Sequence, residues 1–328
     1  MAQLQNKKVF VTGAAGFIGS HLVELLLQEG AQVRALYHYN SENRIANLDF
    51  LGEHPHLEKV AGDVRNAHHM LELSKGMDFI FHLAALIAIP YSMEAPGDYI
   101  STNVQGTLNI LEAARINGVA KTIVTSTSEV YGSPEVLPIV ETHPLQTQSP
   151  YAASKAGADH LAYSYYCAYD LPVMILRPFN TFGPRQSMRA ILPSVILQLL
   201  RGPKVEVGNL EPIRDLTYVK DTAAGFLAAA LTKNVDGKTV QLGTNKGYSV
   251  REMIETVGEC LNIKPVIVTQ EARKRKTRFE VERLVSSPQL AKKLLGWEPK
   301  TSFKEGLQLT IDFFRQNDAR VDPTHYVK

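Results

Sequence analysis

The sequence predicts an α/β protein in which a parallel sheet carries helices on both faces. Three observations lead to this prediction: short apolar, β-branched runs alternate with amphipathic segments, a glycine-rich turn follows the first run, and no repeat or low-complexity linker breaks the order. Strands that alternate with helices form parallel sheets, because each helix returns the chain to the same edge of the sheet. Residues 1–180 are expected to form this domain, and residues 181–328 are expected to form mainly a smaller second domain.

The elements follow one another through the first half of the chain. The strand-like runs are KKVFVT, AQVRALY, DFIFHLAA, AKTIVTS and LPVMILRP, and the helix-like segments are FIGSHLVELLLQEG, NVQGTLNILEAARING and YAASKAGADHLAYSYYCAYD. After about residue 180 the regular alternation of strands and helices ends. Helical RAILPSVILQLLRG is followed by the short strand-like pieces KVEVGN and KTVQLG, and prolines become frequent. Later segments around 215–245 are expected to complete the sheet.

Composition limits the functional class. The 328 residues include 35 basic and 33 acidic ones, a net charge of +2, so no global field favours nucleic acid or an anionic membrane. Cys167 and Cys260 have no metal-ligand spacing, so neither a zinc site nor a disulfide framework is predicted. No secretory signal pattern and no apolar run of about 18 residues are present, which predicts a cytoplasmic protein.

The first turn carries a cofactor motif. VFVTGAAGFIGSHL places Gly13, Gly16 and Gly19 between the first strand and the first helix, with Phe17 and Ile18 in the same turn. Gly13 allows a tight turn, Gly16 lets the backbone approach a pyrophosphate, and Gly19 allows close helix packing, while the helix N-terminus favours an anion. In this context the motif predicts a Rossmann-type dinucleotide site lined by all five residues.

The end of the second strand normally separates NAD sites from NADP sites. An NAD site usually has an acid there and an NADP site an arginine. This chain reads QVRALYHYNSENR, so Tyr37 stands where the acid is expected and Arg44 follows a few residues later. NAD is favoured because no basic residue follows the strand immediately, and Arg44 leaves NADP open. The basic run ARKRKTR at 272–278 is typical of a solvated face or of a local site for a phosphate-bearing ligand.

Further cofactor contacts are predicted after the later strands. Asp63, in AGDVRN, suits a carboxylate that contacts adenine, and the small residues of FHLAA let backbone approach a flat ligand. The predicted contacts beyond the first turn are Asp63, Val64, Leu83, Ala84, Ala85 and Asn103.

The candidate chemistry lies in two motifs. PYAASKAG places Tyr151 and Lys155 four residues apart, so both side chains share one face of a helix. A nearby ammonium and a cationic nicotinamide favour the tyrosine phenolate, which can then take a proton from a sugar hydroxyl. TSTSEVYG places four serine and threonine residues and the lone carboxylate of Glu129 directly after a buried strand.

Taken in order, these motifs carry a resemblance. VTGAAGFIGSHL, GDVRN, HLAA, NVQGTLNILEAA, TSTSEVYG, YAASK, RPFNTFGP and RDLTYVKDTA resemble the extended short-chain dehydrogenase/reductases that act on nucleotide-activated sugars. The resemblance runs from about residue 7 to about residue 310. It implies a tightly bound, regenerated NAD(P), a nucleotide-sugar substrate bound mainly by the second domain of residues 181–328, and a homodimer built through the helices of NVQGTLNILEAA and YAASKAGADHLAYSYY.

The resemblance also implies roles for individual residues. Tyr151 corresponds to the base for sugar oxidation at C4, Lys155 to its partner and a ribose ligand, and Thr127 to the hydroxyl that binds the 4-oxygen. The residues that correspond to substrate ligands, chiefly of the nucleotide diphosphate, are Asn180, Arg185, Arg214 and Arg275.

The triplet Thr127, Ser128, Glu129 separates the reactions within such a family. Dehydratases use a Glu as the base on the C5 proton, commonly with an Asp before it as the acid for the departing 6-hydroxyl. Decarboxylases of uronic-acid sugars carry Thr-Ser-Glu, and epimerases need no acid at this position. Intact catalytic motifs argue against a non-catalytic scaffold that only binds the cofactor.

The flanking sequence favours dehydration. The approach THPLQTQSPYAASKAG lacks the long proline- and arginine-bearing loop typical of the decarboxylases, and HLAALIAIPYS with RPFNTFGPRQS resembles dehydratases of UDP-N-acetylglucosamine. The expected function is therefore 4,6-dehydration to a 4-keto-6-deoxy or 5,6-ene sugar, with decarboxylation and then epimerisation as the alternatives. Because Ser128 replaces the usual Asp, the proton for the leaving hydroxyl must come from Glu129 or from a water held by Ser128.

Overall fold

The computed structural model describes residues 3–40, 45–273 and 281–317. The predictions for Arg44 and Arg275, and for most of the basic run at 272–278, concern residues outside these ranges.

A seven-stranded parallel sheet forms the centre of the larger region. Its strands are β1 (Lys8–Thr12), β2 (Gln32–Tyr37), β3 (Leu57–Ala61), β4 (Phe79–His82), β5 (Lys121–Thr125), β6 (Val173–Pro178) and β10 (Thr239–Leu242). They lie in the order β3-β2-β1-β4-β5-β6-β10, and every neighbouring pair is parallel. The order reverses direction between β1 and β4, where ligands bind in doubly wound sheets. The predicted α/β class is confirmed.

Helices cover both faces of this sheet. One face packs α1 (Phe17–Gln28), α8 (Val219–Leu231) and α10 (Gln289–Leu295), and the other packs α2 (Ala67–Leu73), α5 (Gly106–Ile116) and α6 (Pro150–Tyr169). Strands covered on both faces read as continuous apolar runs, which is why β1, β5 and β6 are visible in the sequence. Two short helices, α3 (Ile89–Glu94) and α4 (Pro96–Tyr99), and a π-helical turn (Ile100–Gln105) lead into α5.

A second, smaller core is built from the later part of the chain. The strands are β7 (Asn180–Phe182), β8 (Lys204–Val207), β9 (Ile213–Tyr218), β11 (Gly247–Ser249), β12 (Val266–Thr269) and β13 (Arg283–Leu284), and the helices are α7 (Ile191–Arg201), α9 (Val250–Leu261) and α11 (Phe303–Asn317). β9 pairs with β7, β11 and β13, whereas β8 pairs with β12. Of the segments around 215–245, only β10 therefore joins the large sheet.

Local signals fix several element ends. Ser249 and Glu252 form a capping box that starts α9, since the serine hydroxyl accepts from the Glu252 N–H and the Glu252 carboxylate accepts from the Ser249 N–H. Short 3-10 turns occupy Ala46–Leu51, Ser128–Tyr131 and Glu271–Arg273. Within the described ranges, none of the helices combines the length and the apolar character needed to cross a membrane.

Candidate active site

The turn between β1 and α1 is shaped for an anionic ligand. Gly13 has a φ of +67°, and a Cβ added there would lie 2.6 Å from the backbone nitrogen of Ala84 at the end of β4. α1 begins after Gly16 with no side-chain cap and no acid in its first turn. Its first N–H groups and the positive end of its dipole are thus left for a ligand, which fits the pyrophosphate of a dinucleotide.

The neighbouring strand ends lie where the sequence predicts cofactor contacts. The Leu83 N–H donates to the Thr12 carbonyl and the Ala84 N–H donates to the Thr12 hydroxyl, so this chain segment continues alongside β1. Tyr37 ends β2 and its carbonyl accepts from the Gly62 N–H at 2.9 Å. The cofactor contacts themselves stay predictions.

Asp63 and Val64 follow β3. Both Asp63 carboxylate oxygens accept hydrogen bonds from Arg65, which holds the pKa of this carboxyl below its usual range. Val64 is buried, and its carbonyl accepts from Asn109 of α5 at 2.9 Å. A contact of Asp63 with adenine would therefore involve a carboxylate that already binds an arginine.

Asn103 links the chain segment after β4 to α6. Its side-chain oxygen accepts from the Leu86 N–H, and its amide nitrogen donates both to the Leu86 carbonyl and to the Ser154 hydroxyl, each at 2.9 Å. The Ser154 hydroxyl in turn donates to the Tyr151 carbonyl. Asn103 lies in the π-helical turn, a local feature frequent at functional sites. The structure thus places this predicted cofactor ligand between the segment after β4 and α6.

His82 forms a second buried link. Its ring nitrogens lie 2.8 Å from the Thr12 hydroxyl and 3.0 Å from the Thr107 hydroxyl, and the Thr107 hydroxyl donates to the Asn103 carbonyl. Burial lowers the pKa of His82 to about 3, and the charge of Lys155 acts in the same direction. The imidazole is therefore neutral and structural.

The predicted catalytic pair lies on the first turns of α6. Ser149 caps the helix by accepting from the Ala152 N–H, and Pro150 occupies its first turn. Tyr151 is 8% and Lys155 3% exposed, so both polar groups lie in a site largely shielded from water. Burial raises the pKa of Tyr151 above its ordinary value, while a hydrogen bond with Thr127 lowers it. Burial lowers the pKa of Lys155 to about 8, and the charge of Asp159 acts in the opposite direction.

The end of β5 brings the other predicted residues to the same place. Thr127 has an extended backbone and caps the following 3-10 turn, where its hydroxyl accepts from the Glu129 N–H at 3.2 Å. Ser128 is buried in this turn, and Glu129 is partly buried. The Glu129 charge raises the pKa of Tyr151, which places the two side chains within electrostatic reach. Within the described ranges, no hydrogen bond or ion pair occupies the Glu129 carboxylate.

The predicted substrate ligands have different surroundings. Asn180 lies on β7, and its side-chain oxygen is buried without a hydrogen-bond partner among the described residues, as a ligand contact would require. Arg185 is engaged by α1, because it donates to Glu24 at 2.9 Å and lies over the Phe50 ring. Arg214 lies on β9 and donates to the Ile213 carbonyl. Their roles in binding stay predictions.

One buried cluster behind the site is absent from the sequence predictions. Asp159 of α6 accepts from the Ser126 hydroxyl and from two nitrogens of Arg177 on β6. The available signal was the position of Asp159, one turn after Lys155 on a helix face that is otherwise rich in alanine. Among the described residues, no group of three or more His, Cys, Asp or Glu side chains is placed to hold a metal ion.

Fold and site together define a class. A doubly wound sheet with an open glycine turn, and a Tyr-x-x-x-Lys pair beside a strand that ends in hydroxyls and an acid, form the framework of the extended short-chain dehydrogenase/reductases. The chain belongs to the GDP-mannose 4,6 dehydratase family, whose sequence model matches residues 10–310. The resemblance to enzymes of nucleotide sugars is thereby confirmed at the level of the family.

Relatives in this family catalyse more than one reaction. A dTDP-glucose 4,6-dehydratase of Actinoplanes is 30% identical over 322 residues, which cover 94% of this chain and 98% of that protein. UDP-glucuronic acid decarboxylase 1 of Xenopus tropicalis is 32% identical over 331 residues, covering 96% and 74%. A trifunctional UDP-glucose 4,6-dehydratase of Arabidopsis thaliana is 31% identical over 327 residues, and this chain, 97% of which is covered, spans only 48% of its length.

Similar solved structures also include enzymes that catalyse different reactions. DesIV, a dTDP-glucose 4,6-dehydratase from Streptomyces venezuelae with NAD and TYD bound, superposes with a TM-score of 0.88 at 30% identity and covers 97% of this chain and 100% of its own. UDP-glucuronic acid 4-epimerase from Bacillus cereus, in complex with UDP-glucuronic acid and NAD, gives 0.87 at 28% identity and covers 94% and 99%.

Proposed function

We propose that the protein is an NAD-dependent nucleotide-sugar 4,6-dehydratase with UDP-N-acetylglucosamine as its substrate. The observation that carries the proposal is the partly buried Glu129, with its carboxylate unengaged among the described residues and within electrostatic reach of Tyr151. NAD suits the open glycine turn and is present in the solved dehydratase and epimerase. When bound, it would supply a hydride acceptor for C4 and a hydride donor for C6.

The first step assigned to the chain is proton removal at the C4 hydroxyl. Tyr151 takes this proton, Thr127 holds the 4-oxygen, and Lys155 provides the positive charge that favours the phenolate. Burial, together with the charge of Glu129, raises the pKa of Tyr151, so the tyrosine depends on Thr127 and Lys155 to act as a base near neutral pH. The resulting 4-ketone acidifies the proton on C5.

The second step is assigned to Glu129. Its carboxylate takes the C5 proton, and the C6 hydroxyl leaves as water after it has been protonated. When hydride then adds to C6, C5 takes up a proton that originates in the solvent. The proton for the leaving hydroxyl comes from Glu129 itself or from a water held by Ser128, because no second acid follows Thr127. Ser128→Ala distinguishes these routes, since only the second depends on the Ser128 hydroxyl.

Decarboxylation of UDP-glucuronic acid is the second candidate. It is favoured by Ser128 at the position where an acid would serve dehydration, and by the Xenopus relative. Dehydration ranks first because the segment before Tyr151 lacks the long proline- and arginine-bearing loop that the family resemblance implies for decarboxylases.

The reaction is tested by incubating the protein and NAD separately with UDP-N-acetylglucosamine, UDP-glucuronic acid and UDP-glucose, followed by mass spectrometry. The proposal predicts loss of one water from UDP-N-acetylglucosamine. Loss of carbon dioxide from UDP-glucuronic acid without any loss of water would replace it with the second candidate. Tyr151→Phe serves as the control, since it suppresses either reaction at its first step.

The same proposal includes a homodimer through α5 and α6. Its support is that Tyr163 and Tyr169 of α6 and Ile116 of α5 are each more than half exposed, although exposed apolar side chains cost free energy in water. Light scattering after size exclusion would show twice the 36.3 kDa chain mass if the proposal is correct.

A further inference from the structure

A buried acid lies one turn beyond the catalytic lysine. Asp159 and Lys155 are each 3% exposed and stand four residues apart on α6, so they share a face of the helix. At this depth little water screens their charges, and an interaction over one helical turn is much stronger than on a surface.

Three donors converge on one oxygen of this acid. Asp159 Oδ2 accepts from Ser126 Oγ at 2.6 Å, from Arg177 Nε at 3.0 Å and from Arg177 Nη2 at 2.9 Å. Such donors favour the ionised carboxylate. The other oxygen, Oδ1, is buried and has no hydrogen-bond partner among the described residues.

Arg177 is itself held in place. Its Nη1 donates to the Tyr131 hydroxyl at 3.1 Å, its guanidinium lies 5.1 Å from the centre of the Tyr131 ring, and the Tyr131 hydroxyl donates to Gln241 of β10. The cation is 5% exposed. Neither partner of the ion pair can turn towards solvent, so the carboxylate keeps a fixed position relative to the catalytic pair.

We propose that Asp159, held by Arg177 and Ser126, is a positioning residue that sets the pH range over which Tyr151 and Lys155 act. This inference rests on the proposed function for the roles of the pair, but not for the ionisations themselves. A fixed negative charge favours both the protonated lysine and the protonated tyrosine. It therefore moves both ionisations to higher pH.

The other groups around the pair do not have this double effect. Burial and Asp159 are the two influences on the pKa of Lys155, which is about 8. Glu129, Tyr99 and Asp159 all raise the pKa of Tyr151. His82, from β4, is neutral because its pKa is about 3. Among these neighbours, Asp159 is the one whose charge acts on both members of the pair.

The test is an NMR titration of Lys155, labelled at its ε-carbon and assigned by comparison with Lys155→Met, in the protein with NAD and without any sugar. In Asp159→Asn the titration is expected to move to lower pH by about one unit, as for the loss of an opposite charge one helical turn away. Ser126→Ala, which keeps both charges, is expected to titrate as the parent protein does. An unchanged midpoint in Asp159→Asn would overturn the inference.

A second variant keeps the test possible if Asp159→Asn does not fold. Asp159→Asn leaves the Arg177 guanidinium without a counter-ion, so Asp159→Asn combined with Arg177→Met removes the buried cation as well. The Lys155 midpoint is expected to fall in this variant too, but by less than in Asp159→Asn, because the positive charge of Arg177, which disfavours a protonated lysine, is also removed. A midpoint at the parent value in the folded double variant would contradict the proposal as directly as one in the single variant.

The pH profile of C4 oxidation then connects the charge to the reaction. With UDP-N-acetylglucosamine, both limbs of the profile are expected at lower pH in the double variant than in the parent protein, whereas a lower plateau with unmoved limbs would indicate a merely structural role. If no tested sugar is oxidised, the proposed function fails, and the titration of Lys155 still decides the inference.

Discussion

Two acids lie near Tyr151 and Lys155, and their surroundings are opposite. Glu129 lies on a 3-10 turn, partly buried, with no hydrogen bond to its carboxylate among the described residues. Asp159 lies on the helix itself, buried, with three donors on one oxygen. A carboxylate without hydrogen-bond donors is available to accept a proton from a substrate. A carboxylate held by several donors stays ionised and acts as a fixed negative charge. The hydrogen-bond partners of each acid, more than its distance from Tyr151 and Lys155, therefore decide its role.

The difference originates at the end of β5. Successive residues of an extended chain point to opposite sides. Ser126 turns to Asp159, and Thr127, which follows it, approaches Tyr151 and caps the turn that presents Glu129. One strand end therefore supports both the closed cluster behind the site and the open carboxylate within it.

The largest expected effect is on turnover. Glu129→Gln keeps the shape of the side chain but removes the base, so water loss should fall by roughly 10²- to 10⁴-fold, as expected for a lost general base. Reduced-cofactor absorbance should still report oxidation at C4. Tyr151→Phe is the matched comparison, because it should suppress that absorbance too; equal loss of both signals in the two variants would remove the distinction between their steps.

The fold and much of this site can be predicted from sequence because their signals are local. Buried strands give apolar runs, the β1–α1 turn needs glycine at its positive φ, and the spacing of Tyr151 and Lys155 sets them on one helix face. Such patterns depend on neighbouring residues only, so one chain is enough to reveal them.

The cluster behind the site was not predictable in the same way. Ser126, Asp159 and Arg177 belong to β5, α6 and β6, and their contacts span 33 and 18 residues. The same holds for Arg185, because it contacts Glu24, which lies 161 residues earlier in the sequence. Each side chain alone is compatible with a surface position, and only the packing of the strands against α6 reveals the partners.

The next effect is on stability and separates the two acids most clearly. Arg177→Ala leaves Asp159 as an uncompensated buried charge and should lower the free energy of unfolding by about 3–5 kcal/mol. Glu129→Ala should change it by no more than about 0.5 kcal/mol, because no partner loses a contact. Urea unfolding of both variants measures this difference. Similar losses in the free energy of unfolding would contradict the view that Asp159, unlike Glu129, depends on a buried partner.

A smaller effect is expected at Ser126. Ser126→Ala removes one of the three donors to Asp159 and should cost about 1.5–3 kcal/mol, typical of a hydrogen bond to a charged group. Ser164→Ala, on the exposed side of α6, is the control and should have little effect, since its hydroxyl only donates to the carbonyl of Leu161 three residues earlier. A loss at Ser126 no greater than that at Ser164 would mean that the two remaining Arg177 contacts are sufficient.

The most direct test of the central claim follows hydrogen exchange at C5. The protein is incubated with NAD and UDP-N-acetylglucosamine in deuterium oxide, and deuterium at C5 of the sugar is measured by NMR. The parent protein should introduce deuterium at C5, the folded double variant Asp159→Asn/Arg177→Met should still do so at its own optimal pH, and Glu129→Gln should not. Deuterium at C5 with an undiminished rate in Glu129→Gln would contradict the assignment of Glu129 as the base.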